Sequence, residues 1–163
     1  MSSKLLCVLS LSTVLCAQGF YPRLEMTELL IDPVGVNAGQ QLVEVTVSNA
    51  PVNLAGFYLV AGTVVQPFPS LVLPAFQLLR LHLGASGVDT IADLYFPNFP
   101  VLGLSDSLAI FQSNQVQNVA DLVDFVCWGG TTGPYVVHAI QAGRWSTTLE
   151  SAVLPTVEGA TLA

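Results

Sequence analysis

Strict alternation of apolar and polar residues is what most limits how this chain can fold. In QLVEVTVS, residues 41 to 48, Val43, Val45 and Val47 fall on one side of an extended backbone, and Glu44, Thr46 and Ser48 on the other. A side-chain period of two lets a strand bury one face and wet the other. Wound into a helix, the same residues would scatter their apolar groups all round. QLLRLHLG, residues 77 to 84, repeats the arrangement, with Leu79, Leu81 and Leu83 opposed to Arg80 and His82. MTELLID, AGFYLVAG, DSLAIFQ and NVADLVDFVCWG add further short runs, punctuated by Gly, Pro, Asn and Ser. The expectation is an all-β domain of short strands, a sandwich or barrel rather than a βαβ array, with the three valines and three leucines facing inward. Pro67, Pro69, Pro74, Pro97 and Pro100 stand outside the alternating runs, where a missing N–H does least harm to a ladder.

A chain of 163 residues is of single-domain size and long enough to bury most of its apolar surface in one core. Four Lys and Arg against eleven Asp and Glu give a formal net charge of -7. Four cations cannot build the basic patch that phosphate neutralisation requires, so nucleic acid is excluded as an expected partner. Anionic lipid is disfavoured for the same reason, and cations stay open.

The opening MSSKLLCVLSLSTVLCAQG has one positive charge at Lys4, an apolar run from Leu5 to Cys16, and small residues at Ala17 and Gly19. That layout reads as a secretory signal peptide over residues 1–19, cleaved after Ala17 or after Gly19, with a domain over 20–163. The apolar run is shorter than the roughly 20 residues a membrane-spanning helix needs, and no transmembrane span is expected elsewhere. Secretion, to the periplasm, the cell envelope or the medium, follows from this reading. Cleavage would remove Cys7 and Cys16 with Lys4, leaving Cys127 as the lone thiol and excluding an intramolecular disulfide.

Few residues are candidates for chemistry. Cys127, in DLVDFVCWGG, would need a base and an electropositive setting to act as a nucleophile. Its neighbours are Val126, Trp128 and the acidic Asp124, so it reads as a small buried thiol, with pairing between chains as the alternative. His82 and His138 have no second His or Cys at ligand spacing, and no metal or other cofactor is expected. Asp89 and Asp93 lack the dense alternation of a calcium loop and read as solvated loop charges. GGTTGP, residues 129 to 134, has no lysine and reads as a connection rather than a phosphate cradle. DLYFPNFPVLG, residues 93 to 103, reads as a loop whose Tyr95, Phe96 and Phe99 are the candidate ligand-binding residues. Exposed rings would form a contact patch, and buried ones would plug an open end of the fold.

Three stretches, in order from about Met26 to Gly129, resemble the lamin tail domain family in its exported bacterial form. They are TELLIDPVGVNAGQQLVEVTVSNAPVNLAGFYLV, LVLPAFQLLRL and SDSLAIFQSNQVQNVADLVDFVCWG. Asn49, Val52, Asn53, Leu54, Gly56, Phe57 and Leu59 occupy the positions of the family's strand–turn–strand pattern. Phe57 stands where the family often has Trp, and LPAFQ where it often has a Pro-Gly-Gly turn. VHAIQAGRWSTTLESAVLPTVEGATLA is similar to the segment that follows the family's core. The resemblance implies an immunoglobulin-like β-sandwich and a non-catalytic binding or structural role toward a protein or a cell-envelope polymer, with no shared active site. The alternative is a carbohydrate-binding or small hydrolase-type sandwich domain.

Overall fold

The structure, a computed structural model, describes residues 24–31, 39–129 and 133–146. The leader at residues 1–19 and the tail beyond residue 146 lie outside the described residues, as does the middle of the GGTTGP connection. The described chain is all-β apart from a short 3₁₀ turn and one helix. Its strands are β1 (Leu24–Leu30), β2 (Gln41–Val47), β3 (Val52–Asn53), β4 (Tyr58–Ala61), β5 (Val64–Pro67), β6 (Val72–Leu73), β7 (Leu78–Leu83), β8 (Asp93–Phe96), β9 (Asp106–Phe111) and β10 (Leu122–Trp128). The helix is α1 (Val136–Gln141).

A first sheet has the order β1-β2-β7-β8, and a second the order β10-β9-β4-β5. A two-stranded ribbon joins β3 to β6. All ladders are antiparallel except that of β7 with β8, which is parallel. Alternation does what it promised in β2 and β7: Val43, Val45, Val47, Leu79, Leu81 and Leu83 are all buried. They meet Leu59, Leu108, Ile110 and Trp128 of the second sheet in one continuous core, to which the ribbon adds Val52 and Leu73. Pro67 ends the edge strand β5, a position where no neighbour strand needs its N–H.

Bulges re-phase two strands. The register of β1 shifts between Met26 and Glu28, so Leu24 and Leu29, an odd number of residues apart, both reach the core. The Met26 N–H donates instead to Asp124 Oδ2 of β10, at 2.7 Å, tying the first sheet to the second. A matching shift in β10, between Leu122 and Asp124, turns Leu122, Phe125 and Cys127 to the other side of the second sheet.

That other side is buried too. Val60, Ala109, Phe111, Leu122, Phe125 and Cys127 form a second core with Tyr135, Val136 and Ala139 from the helical segment. Tyr135 meets the Phe111 ring edge-on at 5.4 Å, and Trp145 meets Phe125 at 5.5 Å. The second sheet is therefore covered on both faces, which is why five consecutive residues of β9, Ser107 to Phe111, are all buried. The outer face of the first sheet has no such cover among the described residues.

Candidate functional site

The outer face of the first sheet collects the polar halves of the alternating strands. Register sets them in two rows. Glu28 pairs with Glu44, Glu44 with Arg80, and Arg80 with Asp93, giving one row across all four strands. One step along, Leu30, Leu42, His82 and Tyr95 make the next. Glu28, Leu30, Leu42, Glu44 and Arg80 line a shallow depression of about 270 Å³.

Asp93 organises the β8 side. Arg80 Nη2 donates to its Oδ2 at 2.9 Å, and His82 Nε2 lies 2.8 Å from its Oδ1. The hydrogen bond from His82, and then the Arg80 hydrogen bond and charge, hold the Asp93 carboxyl below the ordinary value of 3.8 against the opposing effect of its partial burial. An ionised carboxylate only accepts, so His82 donates through Nε2. Its ring stacks on Tyr95 with centroids 4.4 Å apart and planes 10° from parallel. Gly87 closes on the same Tyr95 ring, where an added methyl would stand 2.4 Å from Cε1 and Cζ. Thr90 Oγ1 accepts from the Ala92 and Asp93 amides and fixes the turn that leads into β8.

Arg80 is spent on Asp93, although Glu44 is its register neighbour on the other side. Glu44 is oriented by the Thr27 hydroxyl, which donates to its Oε1 at 3.0 Å. Glu28 and Glu44 thus face each other across β1 and β2 with no ion pair to either among the described residues. Like charges directly opposite in a sheet repel.

Residues 93 to 103 differ from the sequence reading in a specific way. They are not one loop: Asp93–Phe96 is the strand β8, and only the residues after it form a loop. Phe96 and Phe99 are both 4% exposed and belong to the main core, with Phe96 edge-on to Phe68 at 5.6 Å. Burial there removes them from any contact surface. Tyr95 alone of the three is half-buried on the outer face, and its stacking surface is already taken by His82. The reading of Asp93 as a solvated loop charge is also corrected: it lies in β8 and serves Arg80 and His82, whereas Asp89 is an exposed loop residue whose Oδ1 accepts the Tyr95 amide at 3.0 Å.

Cys127 is fully buried in the helix-side core, and burial pushes its thiol above the usual 9.0. Asp124, by contrast, pairs with Ile110, a residue of the main core, so it lies on the opposite face of β10 from Cys127. His138 sits on α1 with its ring 5.9 Å from that of Tyr135. The three do not converge. Among the described residues no group of three or more His, Cys, Asp and Glu is placed to hold a metal, and no helix is long and apolar enough to cross a membrane.

The sequence put Arg80 and His82 on the polar face correctly but did not bring Asp93, Tyr95, Glu28 and Glu44 to them. The parallel pairing of β8 brings Asp93 and Tyr95, which nothing in a four-residue run followed by proline announces, and the antiparallel pairings of β2 with β1 and β7 bring Glu28 and Glu44. No protein-family model matches the chain, and no curated protein matches it.

Proposed function

We propose that this chain is an exported, non-catalytic binding module, an immunoglobulin-like β-sandwich of the lamin tail type, that holds a protein or a cell-envelope polymer against the outer face of its first sheet. The observation that carries the reading is the asymmetry of the two sheets. Helix α1 and Trp145 cover the second sheet, while the first presents two ordered rows, Glu28–Glu44–Arg80–Asp93 and Leu30–Leu42–His82–Tyr95, with a depression between them. Side chains held by Asp93 lose little further freedom on contact with a partner, and pre-ordered surfaces bind at lower entropic cost. The leader-like opening and the strand pattern of residues 26 to 129 support export and the family likeness respectively.

Blocking the face by bulk tests the reading. Thr46 lies on this face, and a cysteine there can be labelled with a large maleimide while Cys127 stays buried. The labelled Thr46→Cys protein should lose co-sedimentation with isolated envelope material or with purified exported proteins. The same label on Gln112→Cys, exposed at the end of β9 in the other sheet, should leave it intact. Equal binding by the two labelled proteins, or no binding by the unmodified one, overturns the proposal.

A further inference from the structure

From the depression on the first sheet we infer that the partner presents a basic segment, one of whose lysine or arginine side chains is received between Glu28 and Glu44. The inference rests on the outer face being the binding face and names what that face takes.

The chemistry of the lining fits such a side chain part by part. Two of the depression's lining residues are Glu28 and Glu44, directly opposite in register on β1 and β2. Leu30 and Leu42, also paired, add apolar lining. A long basic side chain is built the same way, with an aliphatic stem that favours apolar contact and a cationic head that favours carboxylate. Arg80, the remaining lining residue, does not supply that cation, because its guanidinium is held 2.9 Å from both oxygens of Asp93. In these rows three carboxylates, Glu28, Glu44 and Asp93, stand against one guanidinium, and the arginine answers the third. The remaining two repel each other, and an incoming cation converts that repulsion into attraction on both sides. A divalent metal fits less well. Calcium wants six to eight oxygen ligands, and two of the five lining side chains are leucines. The chain's net charge of -7 would draw a basic segment in at long range.

The test uses the full chain labelled with ¹⁵N and two peptides, one alternating lysine with threonine and one alternating glutamate with threonine. The lysine peptide should shift the amides of Leu30, Leu42 and Glu44, with affinity falling as salt is raised from 0.05 to about 0.5 M, where screening shortens to a few ångström. Glu28→Gln with Glu44→Gln keeps shape and leaves an acceptor for the Thr27 hydroxyl, so its spectrum and melting should be preserved while affinity for the lysine peptide falls at least tenfold. Equal shifts from both peptides, or undiminished affinity in the double variant, overturn the inference. So do shifts of the same amides by calcium chloride without any by the lysine peptide. If the lysine peptide fails but the Thr46 label still abolishes co-sedimentation, the basic segment is wrong and the binding face stands. If the lysine peptide binds and the label changes nothing, the depression takes cations but the face does not retain the protein.

Discussion

Phe76 is the residue least at ease in this fold. It is the one described non-glycine residue with a positive φ, 61°, and its ring is 75% exposed. The turn exists because the Phe76 N–H reaches Val47 O at 2.7 Å and Gln77 N–H reaches Pro74 O, and that geometry calls for a left-handed residue. A side chain in that region costs about 1–2 kcal/mol, and exposure returns nothing for it. Phe76→Gly should therefore stabilise the protein, raising its melting temperature by roughly 2–4 °C in a domain of this size. Gly129 is the opposite case. Its φ is 67° and a methyl group would stand 2.0 Å from Leu104 O, so Gly129→Ala should cost more than about 3 kcal/mol by adding overlap to strain. Gly62→Ala, strained but with open space around it, should cost only about 1–2 kcal/mol. Thermal melts of the three variants order them.

The pH response is also set by single residues, with opposite signs at the two ends. Asp93 is held below its ordinary value, so the stability it contributes is present above pH 3.8 and lost as pH falls through the lowered value. Cys127 and Tyr135 are both raised by burial, so their contribution is complete below the ordinary values of 9.0 and 10.0 and lost as pH climbs past them. Denaturant midpoints measured from pH 2 to 11 should fall at both ends. Asp93→Asn should flatten the acid limb and leave the alkaline one. At neutral pH, Cys127 should resist a thiol reagent until the protein is unfolded.

At the scale of elements, the loop after β8 is held by polar contacts rather than by apolar pattern. Gln41 is buried at the start of β2. Its Nε2 donates to Ile31 O and Leu102 O, and its Oε1 accepts from the Leu102 N–H. Trp128 Nε1 donates to Gly103 O at 2.8 Å. Gln41→Leu would leave those backbone groups buried without partners and should cost about 2–3 kcal/mol. Hydrogen exchange should speed up at Leu102 while the interiors of β2 and β7 stay protected. These contacts also show what could be read from the chain beforehand. Strands β2 and β7 were legible because one face is dry and the other wet, so hydropathy carries their geometry. Strand β9 was legible as a strand but not as one covered on both sides, since LAIF looks the same whatever covers it. The six residues of α1 are too few to print a helical period. Of the candidate site, Arg80 and His82 were visible on their strand. Asp93 and Tyr95 were not, because a parallel neighbour joined through residues 84 to 92 leaves no local mark, and two phenylalanines beside Tyr95 suggested a loop patch where the core needed rings.

For the molecule as a whole, the three layers, sheet, sheet and helix, make tolerance to substitution one-sided. A charge introduced at Ala139, on the fully buried side of α1, should unfold the helix-side core, whereas Leu42→Glu on the uncovered face should cost less than about 1 kcal/mol. Circular dichroism should show the first losing near-ultraviolet signal from Trp145 and Tyr135 and the second unchanged. The tie between Met26 and Asp124 joins residues 98 positions apart, and it gives the protein an internal clock. A ribosome delivers β1 first, and the bulged amide of that strand meets Asp124 only once β10 has followed. An intermediate that lacks β10 can form the β1–β2 ladder but not the tie between the two sheets, so the locking of one sheet to the other waits on β10.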